Sequence, residues 1–180
     1  MSYLLSLFVA SATLTNQPAL SSTLSAMPTK AQIKEARHQK IVVDISKRRL
    51  YFVEYGMLVK KYRVGVGKPK TPTPLGEGFI RSKGRMVFRY VKGPNKGKMI
   101  KWVTVKTSSG ARVIKVPYSK IRGLGIIIPG YNPYQFYIHS TSDETTVDQE
   151  ISRGCVRMRI PDMLELFPLI KVGAKIVIQP

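Results

Sequence analysis

The chain is poor in cysteine, histidine and acid, and each shortage removes a class of explanation. Cys155 is the only cysteine in 180 residues, so no internal disulfide can brace the fold. A free cysteine is commonly a small buried hydrophobe, and that reading stands beside any functional one. Two histidines, His38 and His139, with no C-x-x-C or H-x-x-x-H spacing, leave a zinc site short of ligands. His139, Cys155 and either Asp143 or Asp148 would still need a fourth donor, so no metal is expected. The apolar stretch "YLLSLFVASATL", residues 3–14, is too short to cross a bilayer as a helix.

Acid is the most informative shortage. Ten Asp and Glu stand against thirty Lys and Arg, a formal charge of +20. Such a chain seeks anions, whether nucleic acid, an anionic membrane surface or an acidic cell-wall polymer. Between Glu77 and Asp143 there is no acid at all, while thirteen Lys and Arg fall within residues 81–122. That segment reads as a basic insert, with "KGPNKGKMIK" placing Lys92, Lys96, Lys98 and Lys101 in an exposed hairpin loop. A nucleic-acid-binding β module is one reading of it, because "RMVFRYVKGPNKGKMIKWV" interleaves cations with aromatic rings. The acidic counterweight, "SDETTVDQE" at 142–150, comes immediately before the cysteine motif.

Residues 3–14 carry the small-x-small sequence Ala10-Ser11-Ala12 and suggest an export signal or its remnant rather than a structural helix. Against that stand the lack of Lys or Arg before Lys30 and a length below the usual ~15–30 residues. The Ser, Thr and Pro that follow read as a linker, which makes residues 1–39 an appendage and 40–180 one domain. Within the domain, "IVVDIS", "RRLYFVEY", "LVKKYRVGVG", "RMVFRYV", "KWVTVKT", "ARVIKVP", "GIIIPG", "YQFYIHS" and "GAKIVIQP" have strand composition. "KPKTPTPLGEG", residues 68–78, is a restricted loop, and only "IPDMLELFPLI", 160–170, has helical spacing, with Asp162 as its expected N-cap. The expectation is a mostly-β domain with one or two short helices.

His139 ends an apolar strand sixteen residues before Cys155. If the two meet across a sheet, the imidazole can take the thiol proton and produce the nucleophilic thiolate. Gly154, just before the thiol, either lets backbone approach a substrate carbonyl or merely turns the chain. In the first case the N–H groups of Gly154 and Cys155 are candidates for an oxyanion site.

Three stretches taken in order carry a resemblance: the "TPTPLG" loop, "YIHSTSDE", and "SRGCVRM" with its C-terminal continuation. Together they resemble the YkuD-type L,D-transpeptidase catalytic domain across most of residues 40–179. The resemblance implies a YkuD-like β-sandwich, an enzyme of bacterial peptidoglycan metabolism outside the cytoplasm, and no cofactor. It implies Cys155 as nucleophile and His139 as base, with Ser140 orienting the imidazole through backbone or hydroxyl. Ser152, Gly154 and Arg157 fall on the remaining motif positions, Gly154 and Cys155 forming the oxyanion hole and Arg157 steadying the site or meeting a substrate carboxylate. Arg153 occupies a place where many relatives carry histidine, so substrate contacts and thiol acidity are expected to differ there. The insert 81–122 has little counterpart in the family pattern.

The reaction implied is cleavage of a tetrapeptide stem through a cysteinyl thioester and transfer to an amine, or to water in an L,D-carboxypeptidase. Expected partners are peptidoglycan stem peptides and an anionic wall polymer or membrane surface. Nucleic acid is not expected, since that reading leaves the histidine and cysteine motifs unexplained.

Overall fold

A computed structural model of the chain describes residues 27–85, 94, 98, 101–107, 113–132 and 135–180. The apolar segment 3–14, the strand expected at "RMVFRYV" apart from its first residue Arg85, and most of the "KGPNKGKMIK" loop lie outside the described residues.

The domain is mostly β, as its composition predicts. Alternating apolar residues build β1 (Gln39–Asp44) and β2 (Arg49–Glu54), joined to β3 (Met57–Arg63) by a turn at Tyr55 and Gly56, both at positive φ. A short β4 (Val66–Gly67) precedes the proline-rich loop. Then come β5 (Gly76–Arg85), β6 (Trp102–Lys106), β7 (Val113–Pro117), β8 (Arg122–Ile127), β9 (Tyr137–Ser140), β10 (Glu150–Ser152), β11 (Val156–Met158) and β12 (Lys175–Gln179). Eight of them form one mixed sheet in the order β11-β9-β8-β5-β12-β1-β2-β3. Gly65, just past edge strand β3, pairs with Arg157 on the opposite edge strand β11, its N–H donating to Arg157 O at 2.9 Å and its carbonyl accepting at 2.8 Å. The sheet therefore curls until its two ends meet, which hides edges that would otherwise seek other strands. A two-stranded β4–β10 pair stands beside this seam.

Inside the curl lies one apolar core to which β1, β2, β5, β8, β9, β11 and β12 contribute side chains, completed by helix α2 (Ile160–Leu169) through Met163 and Leu166. The N-cap of α2 is Arg159 rather than Asp162. Asp162 instead sits in the first turn and accepts from the Arg159 guanidinium at 2.8 and 2.6 Å, where its charge also suits the helix dipole. The hairpin β6–β7 covers a smaller cluster of Val105, Ile121 and Ile160.

Two readings change. The end of the expected linker contains helix α1 (Lys30–Glu35), started by a capping box in which Thr29 and Gln32 bond each other's backbone N–H. The basic segment 81–122 begins and ends inside the main sheet, because Arg81, Lys83 and Arg85 belong to β5 and Arg122 begins β8.

Candidate active site

Strands β9 and β11 are parallel neighbours, and alternation sorts their side chains. Ile138, Ser140, Val156 and Met158 are buried, so Tyr137, His139, Cys155 and Arg157 project to the other face. The register sets Arg157 beside His139 and Val156 beside Ile138. One step further back, Cys155 falls beside Tyr137. The thiol and the imidazole thus become diagonal neighbours across one strand pair, and Arg157, directly opposite His139, shares their face.

Hydrogen bonding fixes the imidazole. His139 Nδ1 lies 2.8 Å from Ser140 O, and since a carbonyl can only accept, Nδ1 carries the proton and Nε2 is left as the basic nitrogen. Burial pushes the His139 pKa down, the Ser140 carbonyl opposes this, and the Arg157 cation adds to the depression. The half-buried thiol of Cys155 is pushed up chiefly by burial, against a main-chain N–H of Tyr137 and the Arg157 charge, both of which favour thiolate. Its Sγ contacts Gln135 O at 3.7 Å. Both shifts favour the neutral forms, thiol and imidazole, and a neutral imidazole is the form that can accept a proton.

The turn before the thiol is locked from several sides. Ser152, almost fully buried, donates through Oγ to Cys155 O at 2.6 Å and accepts from Gly154 N–H at 3.0 Å. Gly154 has φ +104°, and a Cβ there would lie 2.5 Å from a ring carbon of Phe136 and 3.1 Å from Pro72 O. Only glycine fits that position without displacing the loop or the ring. Lys68 N–H and Thr71 Oγ1 both donate to Ser152 O, at 3.1 and 3.3 Å, while Gly67 N–H donates to Thr73 Oγ1 at 2.8 Å. The "TPTPLG" loop is thereby pinned against the cysteine turn.

Three expectations shift against this geometry. Gly154 N–H is already committed to Ser152 Oγ, so of the two amides expected at an oxyanion site only that of Cys155 remains. Ser140 orients His139 with its carbonyl, not its hydroxyl. Strand alternation turns that hydroxyl to the buried face, where it exchanges 3.3 Å bonds with the main chain of Arg122. Arg153 is exposed, and the charge acting on both Cys155 and His139 is that of Arg157, two residues from the thiol and therefore on its side of the strand. Of the acids in the preceding segment, Asp148 pairs with Arg49 and Arg63, and Glu150 with Arg48.

Sequence reasoning missed Arg81, which composition groups with the solvated basic run. It is 3% exposed, donates from Nη2 to Tyr137 OH at 3.3 Å, and lies with its guanidinium 5.7 Å from the Tyr137 ring centre. Among the described residues no group of three or more His, Cys, Asp or Glu is placed to hold a metal.

The YkuD family model, the L,D-transpeptidase catalytic domain, matches residues 38–178. The putative L,D-transpeptidase YkuD of Bacillus licheniformis is 28% identical over 141 residues, covering 78% of this chain and 66% of that protein. Its Bacillus subtilis counterpart is 22% identical over 138 residues, covering 77% and 64%. This chain thus spans just under two thirds of the curated relatives it matches. Among solved structures, an L,D-transpeptidase from Mycobacterium smegmatis superposes with a TM-score of 0.54 at 19% identity, over 79% of this chain and 59% of that one. L,D-transpeptidase 3 from Mycobacterium tuberculosis, in complex with a faropenem-derived adduct, gives 0.54 at 16% identity, over 79% and 60%. At these identities the likeness is one of fold.

Proposed function

The chain belongs to the YkuD family of L,D-transpeptidase catalytic domains, and from that membership we propose that it transfers peptidoglycan stem peptides through a thioester on Cys155. The observation that carries this reading is the sharing of one sheet face by Cys155, His139 and Arg157 across the β9–β11 register, with His139 Nε2 left basic by the bond from Nδ1 to Ser140 O.

Nε2 of His139 takes the Cys155 proton as the sulfur attacks the carbonyl that joins a diamino acid to the terminal D-alanine. The oxyanion takes the Cys155 N–H, and the C–N bond breaks as the imidazolium returns its proton to the departing amine. A stem amine then attacks the thioester, loses its proton to His139 and displaces the thiolate, which is reprotonated. Because burial disfavours both imidazolium and thiolate, proton transfer is coupled to attack instead of preceding it as a stable ion pair. Arg157 favours the thiolate side of that balance and is placed to meet a substrate carboxylate; its side chain forms no ion pair among the described residues. Water in place of the amine gives L,D-carboxypeptidase activity on the same site.

Such substrates place the working enzyme in the cell envelope, the compartment suggested by residues 3–14. The test is release of D-alanine from a soluble tetrapeptide stem with a second stem as acceptor. The parent releases D-alanine and forms dimer, and Cys155→Ala does neither while keeping its circular dichroism. Release by that variant at the parental rate would refute the assignment.

A further inference from the structure

The far side of the same sheet gathers three cations with no anion to answer them. Arg85 on β5 stands directly across from Arg122 on β8, and Lys83 lies two residues back on the same face. Like charges placed opposite one another in a sheet are destabilising. Lys83 Nζ lies 4.8 Å and the Arg122 guanidinium 5.6 Å from the ring centre of Phe167, on α2. Lys83 also donates to Ile170 O at 2.5 Å, and Arg122 to the carbonyls of Ser119 and Ile121. The ring and three carbonyls hold the heads of Lys83 and Arg122 near each other at the rim of the core. Burial lowers the pKa of both Lys83 and Arg122, and the Arg85 charge lowers that of Arg122 further.

The chain cannot supply the missing anion. Every Asp and Glu of the sequence is among the described residues, none falls between Glu77 and Asp143, and no ion pair among the described residues includes Lys83, Arg85 or Arg122. The site is distinct from the catalytic one. Gly123 pairs with His139, so Arg122 pairs with Ser140 and faces the core side, away from Cys155.

We propose that Lys83 and Arg122, gathered round Phe167, together with Arg85 across the strand pair from Arg122, bind a phosphate group of an anionic wall polymer whose repeats are joined by phosphodiesters. Three cations beside an aromatic ring suit a compact anion carrying several acceptor oxygens on an apolar backbone. Exposed Arg85 guides it in, and half-buried Lys83 and Arg122 receive it. A strand held there leaves the Cys155 face open. The choice of a wall polymer rests on the cell-envelope reading above, whereas the anion site rests only on the geometry.

The test is titration of the full chain with a synthetic glycerol phosphate oligomer in low salt. Parallel arms use inorganic phosphate and vesicles of phosphatidylglycerol and phosphatidylcholine, and D-alanine release is assayed separately. Arg85→Gln/Arg122→Gln should weaken oligomer binding about tenfold or more, and exposed Arg85→Gln alone by a smaller factor. Lys30→Gln/Lys34→Gln, an equal loss of charge on α1, should change it less than about twofold. Tetrapeptide turnover stays unchanged in all of these variants. Equal weakening by the two double variants would overturn the site in favour of net charge alone, and unaltered oligomer binding by the cluster variant would overturn it outright. Cluster-dependent binding to vesicles without binding to the oligomer would overturn the polymer as ligand. If the cluster binds the oligomer while no variant and no parent releases D-alanine, the catalytic reading fails and the anion site stands.

Discussion

Two charged corners of the domain are built in opposite ways. Around β10, acid is matched to base: Asp148 takes Arg49 at 2.7 Å together with Arg63, and Glu150 takes Arg48 at 3.2 Å. On β11 and on the β5–β8 rim, Arg157, Lys83, Arg85 and Arg122 form no ion pair among the described residues. The first corner fastens the segment that leads into the cysteine turn, since Asp148 N–H bonds Val64 O and Val66 N–H bonds Gln149 O. The second leaves positive charge available for something outside the chain. With only ten acids in the sequence, where they are placed matters more than the net charge of +20 does.

Substitutions at the two corners should therefore fail differently. The largest effect belongs to the uncompensated side. His139→Ala should lower turnover by roughly 10²–10⁴-fold with little change in melting temperature, and its residual rate should climb with pH as the raised thiol of Cys155 ionises. A flat residual rate would mean that the histidine does more than remove a proton.

Arg157→Gln comes next. Loss of a charged hydrogen-bond donor to substrate predicts a fall in kcat/KM of roughly 10- to 100-fold. Removing the cation also predicts that alkylation of Cys155 moves to higher pH, because the thiolate loses a stabilising charge, and that the His139 pKa rises, because the imidazolium loses a repelling one. Arg153→Gln should leave the alkylation profile where it was, since that side chain is exposed. A shift for Arg153 and none for Arg157 would exchange their roles.

The matched corner should show the smallest effect, and on stability instead of chemistry. Asp148 sits at φ +67°, a conformation asparagine also tolerates, so Asp148→Asn isolates the charge. Pairing with Arg63 and Arg49 holds the Asp148 carboxyl below its usual range, against the opposing effect of burial. A depressed carboxyl stabilises the fold above its unfolded pKa of about 3.9 and loses that contribution as pH falls through the folded value. Denaturant unfolding should therefore show a cost of about 1 kcal/mol at pH 7, shrinking at pH 3. A gap as large at pH 3 as at pH 7 would assign the loss to packing.

The sequence disclosed these corners unevenly. Alternation in "IVVDIS" and "YIHS" displayed the strands because one face of each is buried, and the histidine, cysteine and glycine motif marked the site. It also held signals that went unread. Thr29 and Gln32 spell a capping box inside what composition presents as a linker. The spacing of Cys155 and Arg157 already puts both on one side of a strand, whereas Arg153 lies across a positive-φ glycine where alternation no longer applies. Other features depend on contacts distant in sequence and have no local mark. Strand β5 is hidden because its glycines, serine and charges look like a loop until β8 and β12 pair with it. Commitment of the Gly154 amide to Ser152 depends on a turn pinned by Lys68 and Thr71, more than eighty residues away.

The most direct test of the account is the intact mass of the protein quenched in acid during turnover of a tetrapeptide stem, followed by peptide mapping. A gain equal to the stem without its terminal D-alanine is expected, carried on the peptide containing Cys155, prolonged when acceptor is withheld and missing from Cys155→Ala. Release of D-alanine with no such adduct, or with the acyl group on another residue, would contradict it.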